Sequence, residues 1–224
     1  MNASSTASVC RPAGPWLKTS VREFGDPAAD AAMRQFITEQ KTAKDTAGGI
    51  VETHVFGLPP GLGSCMTWDG RLDSRIAAAV IAIQAFKGVE FGLGFEAARH
   101  PGSQVHDEIG YQNGSGFSGF TRTRNQAGGL EGGVSNGQEI RVRGYLKPIS
   151  TLRRPLQSVD FTTREPVKAA YERSDVCVVP AAGVAAEAMV ALTLARCALE
   201  KFGGDSMKET KRNFAGYLEQ LKKY

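Results

Sequence analysis

The spacing of apolar and polar residues along the chain predicts a mixture of strands and helices. The stretch Ile140–Leu146 alternates between apolar and charged residues, which predicts a strand with one packed face and one polar face. The polar face would carry Arg141, Arg143, Tyr145 and Lys147. A second strand is predicted at Ile50–Phe56, where β-branched and aromatic residues predominate.

Four helices are predicted from apolar residues at helical spacing and from capping residues. They run from Asp26 to about Lys44, from Asp73 to Gly88, from Ala181 to Phe202, and onward from a cap at Asp205 or Ser206. The segment Gly102–Asn125 is polar, rich in glycine and without periodicity, which predicts a mobile loop that closes over a ligand. Strands and helices in this order, with no internal repeat, favour a single α+β domain.

Composition narrows the classes of protein to which the chain can belong. With 224 residues, 42% of them hydrophobic and 22% charged, the chain is long enough for one domain with a real core. It contains no run of 18 apolar residues, so we expect no membrane partner. The net charge of +4 comes without an aromatic stacking motif, so we expect no nucleic-acid partner either. The four cysteines lack CxxC and zinc-site spacing, which favours a reduced, cytoplasmic protein and implies no metal.

The segment Arg124–Thr151 combines two glycine pairs with a Lys-Pro cluster that ends in two hydroxyls. Glycines let a backbone approach a ring or phosphate closely, and Lys147, Ser150 and Thr151 can donate to an anion. The sequence matches neither GxGxxG nor GxxxxGK[ST], so it predicts another kind of nucleotide or flavin site. The alternative is that GGLEGG is only a tight turn between two elements.

Basic residues near this segment could concentrate positive potential where an anion enters. They are Arg122, Arg124, Arg141, Arg143, Lys147, Arg153, Arg154 and Arg173. Ordinary solvated surface is the alternative, and for Arg153 and Arg154 the sequence does not choose between the two.

Several further segments occur in order along the chain and resemble one family. They are DTAGGIVE (45–52), GLPPGLGS (57–64), LDSRIAAAVIAIQAFKGVEFGLGF (72–95), PGSQVHDEI (101–109), KPIST (147–151) and ERSDVCVVPAAGVAAEAM (172–189). Together they resemble the body of chorismate synthase, from about Asp26 to Gly204.

The resemblance implies a lyase of the shikimate pathway. The family removes phosphate from 5-enolpyruvylshikimate 3-phosphate by 1,4-elimination, forms chorismate, and requires reduced FMN without net redox change. It implies an α+β fold in which antiparallel β-sheets sandwich helices, and assembly as a homotetramer. Whether this protein reduces the flavin itself, with NADP as the associated nucleotide, or depends on a flavin reductase is left open.

The resemblance also assigns site residues. It places FMN contacts at Gln84, Ala85, Gly132, Lys147, Pro148, Ile149, Ser150, Thr151 and Arg173. Asp175 resembles a family aspartate near flavin N5, which makes it the candidate catalytic residue. The alternatives for Asp175 are an ion pair with Arg173 or a cap for the following segment. Gln84 stands where family members often have asparagine, which keeps the amide and lengthens its reach.

The chain departs from the family at its start. The family's GESHG-type and RSSARET-type motifs do not occur, and His54, His100 and His106 do not match the family's catalytic histidines. We therefore expect a fold truncated at the N-terminus, with residues 1–20 as a disordered or unrelated leader and 21–224 as a partial domain. Three hypotheses stay open: a lyase completed by another polypeptide, an inactive fragment that keeps a partial FMN or subunit surface, and an unrelated flavin or nucleotide module.

Overall fold

A mixed sheet with helices on one face lies at the centre of the fold. The computed structural model describes residues 4–12, 17–21 and 27–223, and side chains from residue 31 onward. The strands are β1 Ser4–Pro12, β2 Leu17–Val21, β3 Gly49–Val55, β4 Phe86–Phe91, β5 Ile109–Tyr111, β6 Phe120–Arg122, β7 Leu130–Glu131, β8 Val134–Ser135, β9 Ile140–Leu146, β10 Gln157–Val159 and β11 Pro166–Lys168. The helices are α1 Pro27–Thr42, α2 Leu72–Ile81, α3 Gly102–Val105, α4 Val179–Phe202 and α5 Met207–Leu221, with a 3₁₀ turn at Gly94–Arg99.

The main sheet has the strand order β2-β1-β3-β9-β4. β9 lies between β3 and β4 and pairs antiparallel with both. β1 and β3 are parallel, and β1 and β2 are antiparallel. Three hairpins, β5–β6, β7–β8 and β10–β11, form separate two-stranded sheets.

The core lies between the apolar face of this sheet, α2 and α4. On β3 and β9 every second residue is buried, as expected when one face of a sheet packs against helices. Helical spacing turns Leu72, Ile76 and Val80 of α2 inward, and each is at most 2% exposed. The largest fully buried side chains are Leu62, Leu72, Ile76, Ile140, Leu194, Val51, Val55, Val80, Val142, Val190 and Thr53.

The predicted α+β class is confirmed, and so are most of the predicted elements. β3, β9, α1 and α4 lie where the pattern of apolar residues predicts them. Of the two residues proposed to cap α5, Ser206 is the cap, because its side chain accepts a hydrogen bond from the Glu209 N–H. One difference from an antiparallel sandwich is the parallel pairing of β1 with β3.

Two predicted segments are wrong in detail. The second helix ends at Ile81 rather than Gly88, and Ala85 at φ 73° sends Phe86 into β4 instead. The buried ring of Phe86 then covers Gly144 of β9, where a Cβ would collide with it. The segment Gly102–Asn125 contains α3 and the β5–β6 hairpin rather than an unstructured loop.

The first 20 residues contain β1 and most of β2. β1 pairs with β3 from Ser4 to Cys10, so this part of the predicted leader is ordered within the main sheet. The division of the chain at residue 20 stays a prediction.

α4 buries one face and leaves an apolar row on the other. Among the described helices it alone has the length and composition to cross a membrane. Packing in the core explains much of that apolar character. Val184, Leu192 and Leu199 nevertheless remain 54%, 66% and 55% exposed. The absence of a membrane partner stays a prediction.

Candidate functional site

Three segments that are distant in sequence meet where β3 begins and β9 ends. They are residues 45–48, 147–151 and 174–177, called the junction below. Thr46 Oγ1 donates to the Ile149 carbonyl at 2.7 Å, and the Ala47 N–H donates to the Val176 carbonyl at 2.8 Å. Thr151 and Ser174 are joined through their hydroxyls at 3.0 Å. The DTAGG segment therefore holds the KPIST and ERSD segments together.

Ala85 belongs to the same region. The Lys147 N–H donates to the Ala85 carbonyl at 2.9 Å, at the point where β4 and β9 pair. Ala85 has φ 73°, a left-handed conformation that costs a residue with a Cβ about 1–2 kcal/mol. Strained backbone of this kind is common where a ligand is held. Gln84, directly before it, is exposed.

The polar side chains predicted to contact a ligand point away from the core. Lys147, Ser150, Arg173 and Asp175 are all exposed, and none of them makes a side-chain hydrogen bond or ion pair with another described residue. In particular, Asp175 neither pairs with Arg173 nor caps α4, whose N-cap is Val178 without a side-chain bond. Both structural alternatives for Asp175 are therefore wrong, and its carboxylate is available to a ligand.

Gly132 lies elsewhere. It forms the exposed turn of the β7–β8 hairpin with φ 61°. The hairpin packs on the start of α2, since the Leu72 N–H donates to the Gly133 carbonyl at 2.8 Å. Within the described part of the chain, no hydrogen bond joins this turn to the junction. The predicted contacts thus fall into a large group at the junction and one separate glycine.

Comparison with known proteins identifies the family. The family model for chorismate synthase matches residues 5–199. The chain is 62% identical over 201 residues to chorismate synthase from Koribacter versatilis, covering 89% of this chain and 51% of the relative. It is 59% identical to the Solibacter usitatus protein of the same name, with the same two coverages. The chain belongs to the chorismate synthase family. A solved crystal structure of chorismate synthase agrees, with a TM-score of 0.73 and 44% identity over 88% of this chain and 51% of that one.

The chorismate synthase match also revises the extent of the resemblance. It begins at residue 5 rather than near Asp26, so β1 and β2 belong to the matched region. Residues 5–20 of the predicted leader thus lie within the family match, while the division into a leader and a partial domain stays a prediction. The chain spans about half the length of the curated chorismate synthases it matches.

Four of the arginines predicted to attract an anion are instead engaged inside the chorismate synthase fold. Arg122 pairs with Glu131 at 2.9 Å, and Arg124 donates to the carbonyls of Gln104 and His106. Arg141 donates to the Asn125 carbonyl, and Arg143 pairs with Glu52 and Glu90. The positive potential predicted to attract an anion is therefore reduced at Arg122, Arg141 and Arg143. Lys147, Arg153, Arg154 and Arg173 are exposed, and so is Arg124.

Arg143 is the centre of an ionic network on the polar face of the main sheet. It bridges Glu52 of β3 and Glu90 of β4, and the Tyr145 hydroxyl donates to Glu90. Hydrogen bonds from His54, and then from Arg143, lower the pKa of Glu52 to about 2 despite burial. Burial opposes ionisation of Glu90, but bonds from Tyr145 and Arg143 still hold its pKa below the usual value. Burial and the bond to Glu90 raise the pKa of Tyr145 to about 12.

His54 lies between two carboxylates at the edge of this network. Its Nε2 is 2.6 Å from Glu52 Oε1 and its Nδ1 is 2.5 Å from Glu139 Oε1. The hydrogen bond to Glu52, followed by that to Glu139, raises the pKa of His54 above 6.5, against the effect of burial. The imidazolium form therefore stabilises the folded chain.

We expect the free energy of unfolding to depend on pH through His54. A raised pKa gives stability that is complete below pH 6.5 and is lost as pH rises through the higher folded value. The variant His54→Gln should lose this part of the pH dependence. Urea unfolding of both proteins between about pH 5 and about pH 9 measures it. Parallel stability profiles for the two proteins would contradict the assignment.

Sequence reasoning missed one part of the site. A shallow, open cleft lies beside the junction, and Lys41, Lys44, Arg153 and Tyr171 line it together with Thr151 and Asp175. Lys44 follows α1, more than 100 residues before Arg153 in the chain. No motif in the sequence pairs these positions, so only the fold reveals the cleft.

Proposed function

We propose that this chain acts in the chorismate synthase reaction, the 1,4-elimination of phosphate from 5-enolpyruvylshikimate 3-phosphate to give chorismate. The observation that carries the proposal is the junction, where segments that match the family assemble into one exposed polar site. The chain covers about half of its relatives, so the proposed activity also draws on residues of the family that lie outside this sequence.

Reduced FMN is the proposed cofactor, and the residues of the junction suit it. Lys147, Ser150 and Arg173 offer donors without described partners, as a phosphate and a flavin edge require. Ala85 and Gln84 lie beside Lys147 through the Ala85–Lys147 backbone bond. We propose that these residues, with Pro148, Ile149 and Thr151, hold the flavin. Gly132 is proposed only by the resemblance.

Asp175 is the proposed catalytic residue. When bound, the reduced flavin supplies electron density that the substrate needs for loss of phosphate. An exposed carboxylate with no ion pair among the described residues can hold or release a proton at flavin N5. The exposed position on the segment before α4 leaves Asp175 free to contact a ligand placed over the junction.

A chimera tests the proposal. Residues 5–199 of this chain would replace the matching region of the Koribacter versatilis enzyme. We expect the chimera to form chorismate anaerobically with chemically reduced FMN. Asp175→Asn in the chimera should lower turnover by about a hundredfold or more, as for loss of a general acid or base, while FMN binding persists.

Two outcomes would count against the proposal. A soluble chimera that binds FMN without turnover would favour the alternative, an inactive chain that keeps part of an FMN surface. An Asp175→Asn chimera with full turnover would remove Asp175 from the chemistry. Glu172→Gln, which changes an exposed carboxylate three residues earlier, is the matched control and should leave turnover unchanged.

The family suggests further assignments that we also propose. They are a cytoplasmic location and assembly as a homotetramer, with reduction of the flavin by a separate flavin reductase or by the protein itself. The exposed apolar row of α4 supports assembly, because subunit contacts commonly cover such a surface.

A further inference from the structure

One carboxylate holds two backbone amides of a turn that is distant from it in sequence. Asp107 Oδ1 accepts from the Gln126 N–H at 3.0 Å, and Asp107 Oδ2 accepts from the Ala127 N–H at 3.0 Å. Hydrogen bonds to a charged group are stronger than those between neutral groups. The Asp107 carboxylate therefore fixes the start of the turn formed by residues 125–129, called the glycine turn below.

A second ionic side chain joins the same two segments in the opposite direction. Arg124 Nη1 donates to the Gln104 carbonyl at 3.1 Å, and Arg124 Nη2 donates to the His106 carbonyl at 2.9 Å. Each of the segments 104–107 and 124–127 thus contributes an ionic side chain that bonds to the backbone of the other. The glycine turn is therefore held against the end of α3.

Asn125 connects the glycine turn to β9 and to the β7–β8 hairpin. Its Nδ2 donates to the Glu139 carbonyl at 2.8 Å, and its Oδ1 accepts from the Gly129 N–H at 2.8 Å. Gly129 is buried against the backbone before β9, and the next residue, Leu130, begins β7. The position of the hairpin therefore depends on the position of the glycine turn.

Gly132, the turn of that hairpin, differs from its neighbouring glycines. A Cβ on Gly128, Gly129 or Gly133 would lie 2.9 Å or less from a backbone atom. A Cβ on Gly132 would meet no atom of the described chain within 4 Å. Gly132 therefore faces open space, and its backbone can be approached closely by a ligand.

We infer that Asp107 is a positioning residue for flavin binding and acts on Gly132 through the glycine turn. The inference rests on the proposed function, which supplies the flavin contact at Gly132. Asp107 acts through Gln126 and Ala127, whose half-buried N–H groups lose an acceptor if the carboxylate is changed. The hairpin then occupies its binding position for a smaller fraction of the time, and the apparent affinity for flavin falls by that fraction.

The chimera that carries residues 5–199 of this chain tests the inference. The variant Asp107→Asn keeps the size of the side chain, removes its charge and replaces one acceptor oxygen by a donor. Glu108→Gln is the matched control, because Glu108 is the next residue, is exposed, and has no partner for its carboxylate among the described residues. Flavin fluorescence measures the affinity for FMN, and turnover is measured against the concentration of reduced FMN.

We expect Asp107→Asn to weaken FMN binding about tenfold, the usual effect of losing a charged hydrogen bond. At saturating reduced FMN, kcat should be unchanged, because Asp175 and the junction are untouched. A variant that only lowered the folded fraction would instead lower kcat and leave the half-saturating FMN concentration unchanged. Asp107→Glu should recover much of the affinity, since it keeps the carboxylate, and Glu108→Gln should bind FMN like the unmodified chimera.

Two further variants connect the effect to Gly132. Arg124→Gln removes the bonds in the opposite direction between the same segments, and Arg124 is exposed, so this variant should fold and also weaken FMN binding. The effects of Asp107→Asn and Gly132→Ala on FMN affinity should not add in the double variant, because both act on one contact.

The inference is wrong if Asp107→Asn and Arg124→Gln fold and bind FMN as tightly as the unmodified chimera. It is also wrong if the losses from Asp107→Asn and Gly132→Ala add fully. Chorismate formation is measured separately. Turnover without any effect of Asp107 on FMN affinity would reject the positioning role alone, and such an effect without chorismate formation would reject only the proposed activity. An unmodified chimera that does not bind FMN would reject both.

Discussion

Alanine at Gly129 is expected to destabilise the fold by roughly 3 kcal/mol or more, because it combines a backbone collision with a left-handed conformation. Gly129 is buried with φ 80°, and a Cβ there would lie 2.8 Å from the Glu139 carbonyl carbon and 2.9 Å from Ile140 Cα. Both atoms are backbone at the start of β9, so neither can move aside cheaply. Urea unfolding of the variant measures the loss of stability.

Gly132→Ala is the matched control from the same GGLEGG segment. Gly132 also has positive φ, 61°, but an added Cβ would meet no atom within 4 Å. Only the conformational cost of about 1 kcal/mol should remain. Equal losses in the two variants would show that packing against β9 is not what requires glycine at position 129.

Substitution of Arg143 is expected to cause the second large loss of stability. Arg143→Gln should lower the free energy of unfolding by about 3 kcal/mol, because it leaves the carboxylate of Glu90 in a largely buried place without its cation. The Glu90 side chain is 8% exposed and that of Arg143 is 31% exposed. Glu52 loses the same partner, although His54 still contacts it.

The difference in the free energy of unfolding between the unmodified protein and Arg143→Gln should itself depend on pH. The pKa of Glu52 is lowered from 4.5 to about 2, in part by Arg143, so this stabilisation is present above pH 4.5 and is lost as pH falls towards 2.

Arg196→Gln is the control, since the Arg196–Glu200 pair lies on the surface of α4 and should contribute about 0.5 kcal/mol or less. A loss of that small size for Arg143→Gln would mean that the network contributes little to stability.

The local spacing of apolar residues was enough to predict the strands and helices whose packing follows from that spacing alone. β9 alternates strictly because one face meets the core and the other meets the ionic network. α4 and α5 carry their signals within their own sequences, including the Ser206 cap. Such elements need no knowledge of distant residues.

Elements decided by distant contacts were not predictable. The apolar stripe of α2 continues in sequence through Ile83 to Phe86, yet the helix ends at Ile81. What ends it is the left-handed Ala85 and the packing of Phe86 over Gly144. Alanine is a strong helix former, so local sequence indicates a helix where the tertiary structure requires a turn.

The residues of the candidate site also differ in how far the sequence could predict them, depending on whether a contiguous motif contains them. Residues in the KPIST and ERSD segments were found from contiguous motifs, and the junction brings Lys147–Thr151 and Ser174 together. Their roles with the flavin stay predictions. Lys44 and Tyr171 escaped notice because separate segments bring them together with Arg153 only in the fold. Gly129 was expected to approach a ligand, whereas it approaches the backbone of Glu139.

The position of β9 between β3 and β4 has a consequence for the order of folding. β3 and β4 are synthesised first, and neither has its antiparallel partner until Ile140–Leu146 leaves the ribosome. Until then both strands expose unpaired edges and apolar side chains that chaperones recognise and that favour aggregation. Because the centre of the sheet forms by late insertion of a distant strand, the chain should collapse early and complete its sheet slowly.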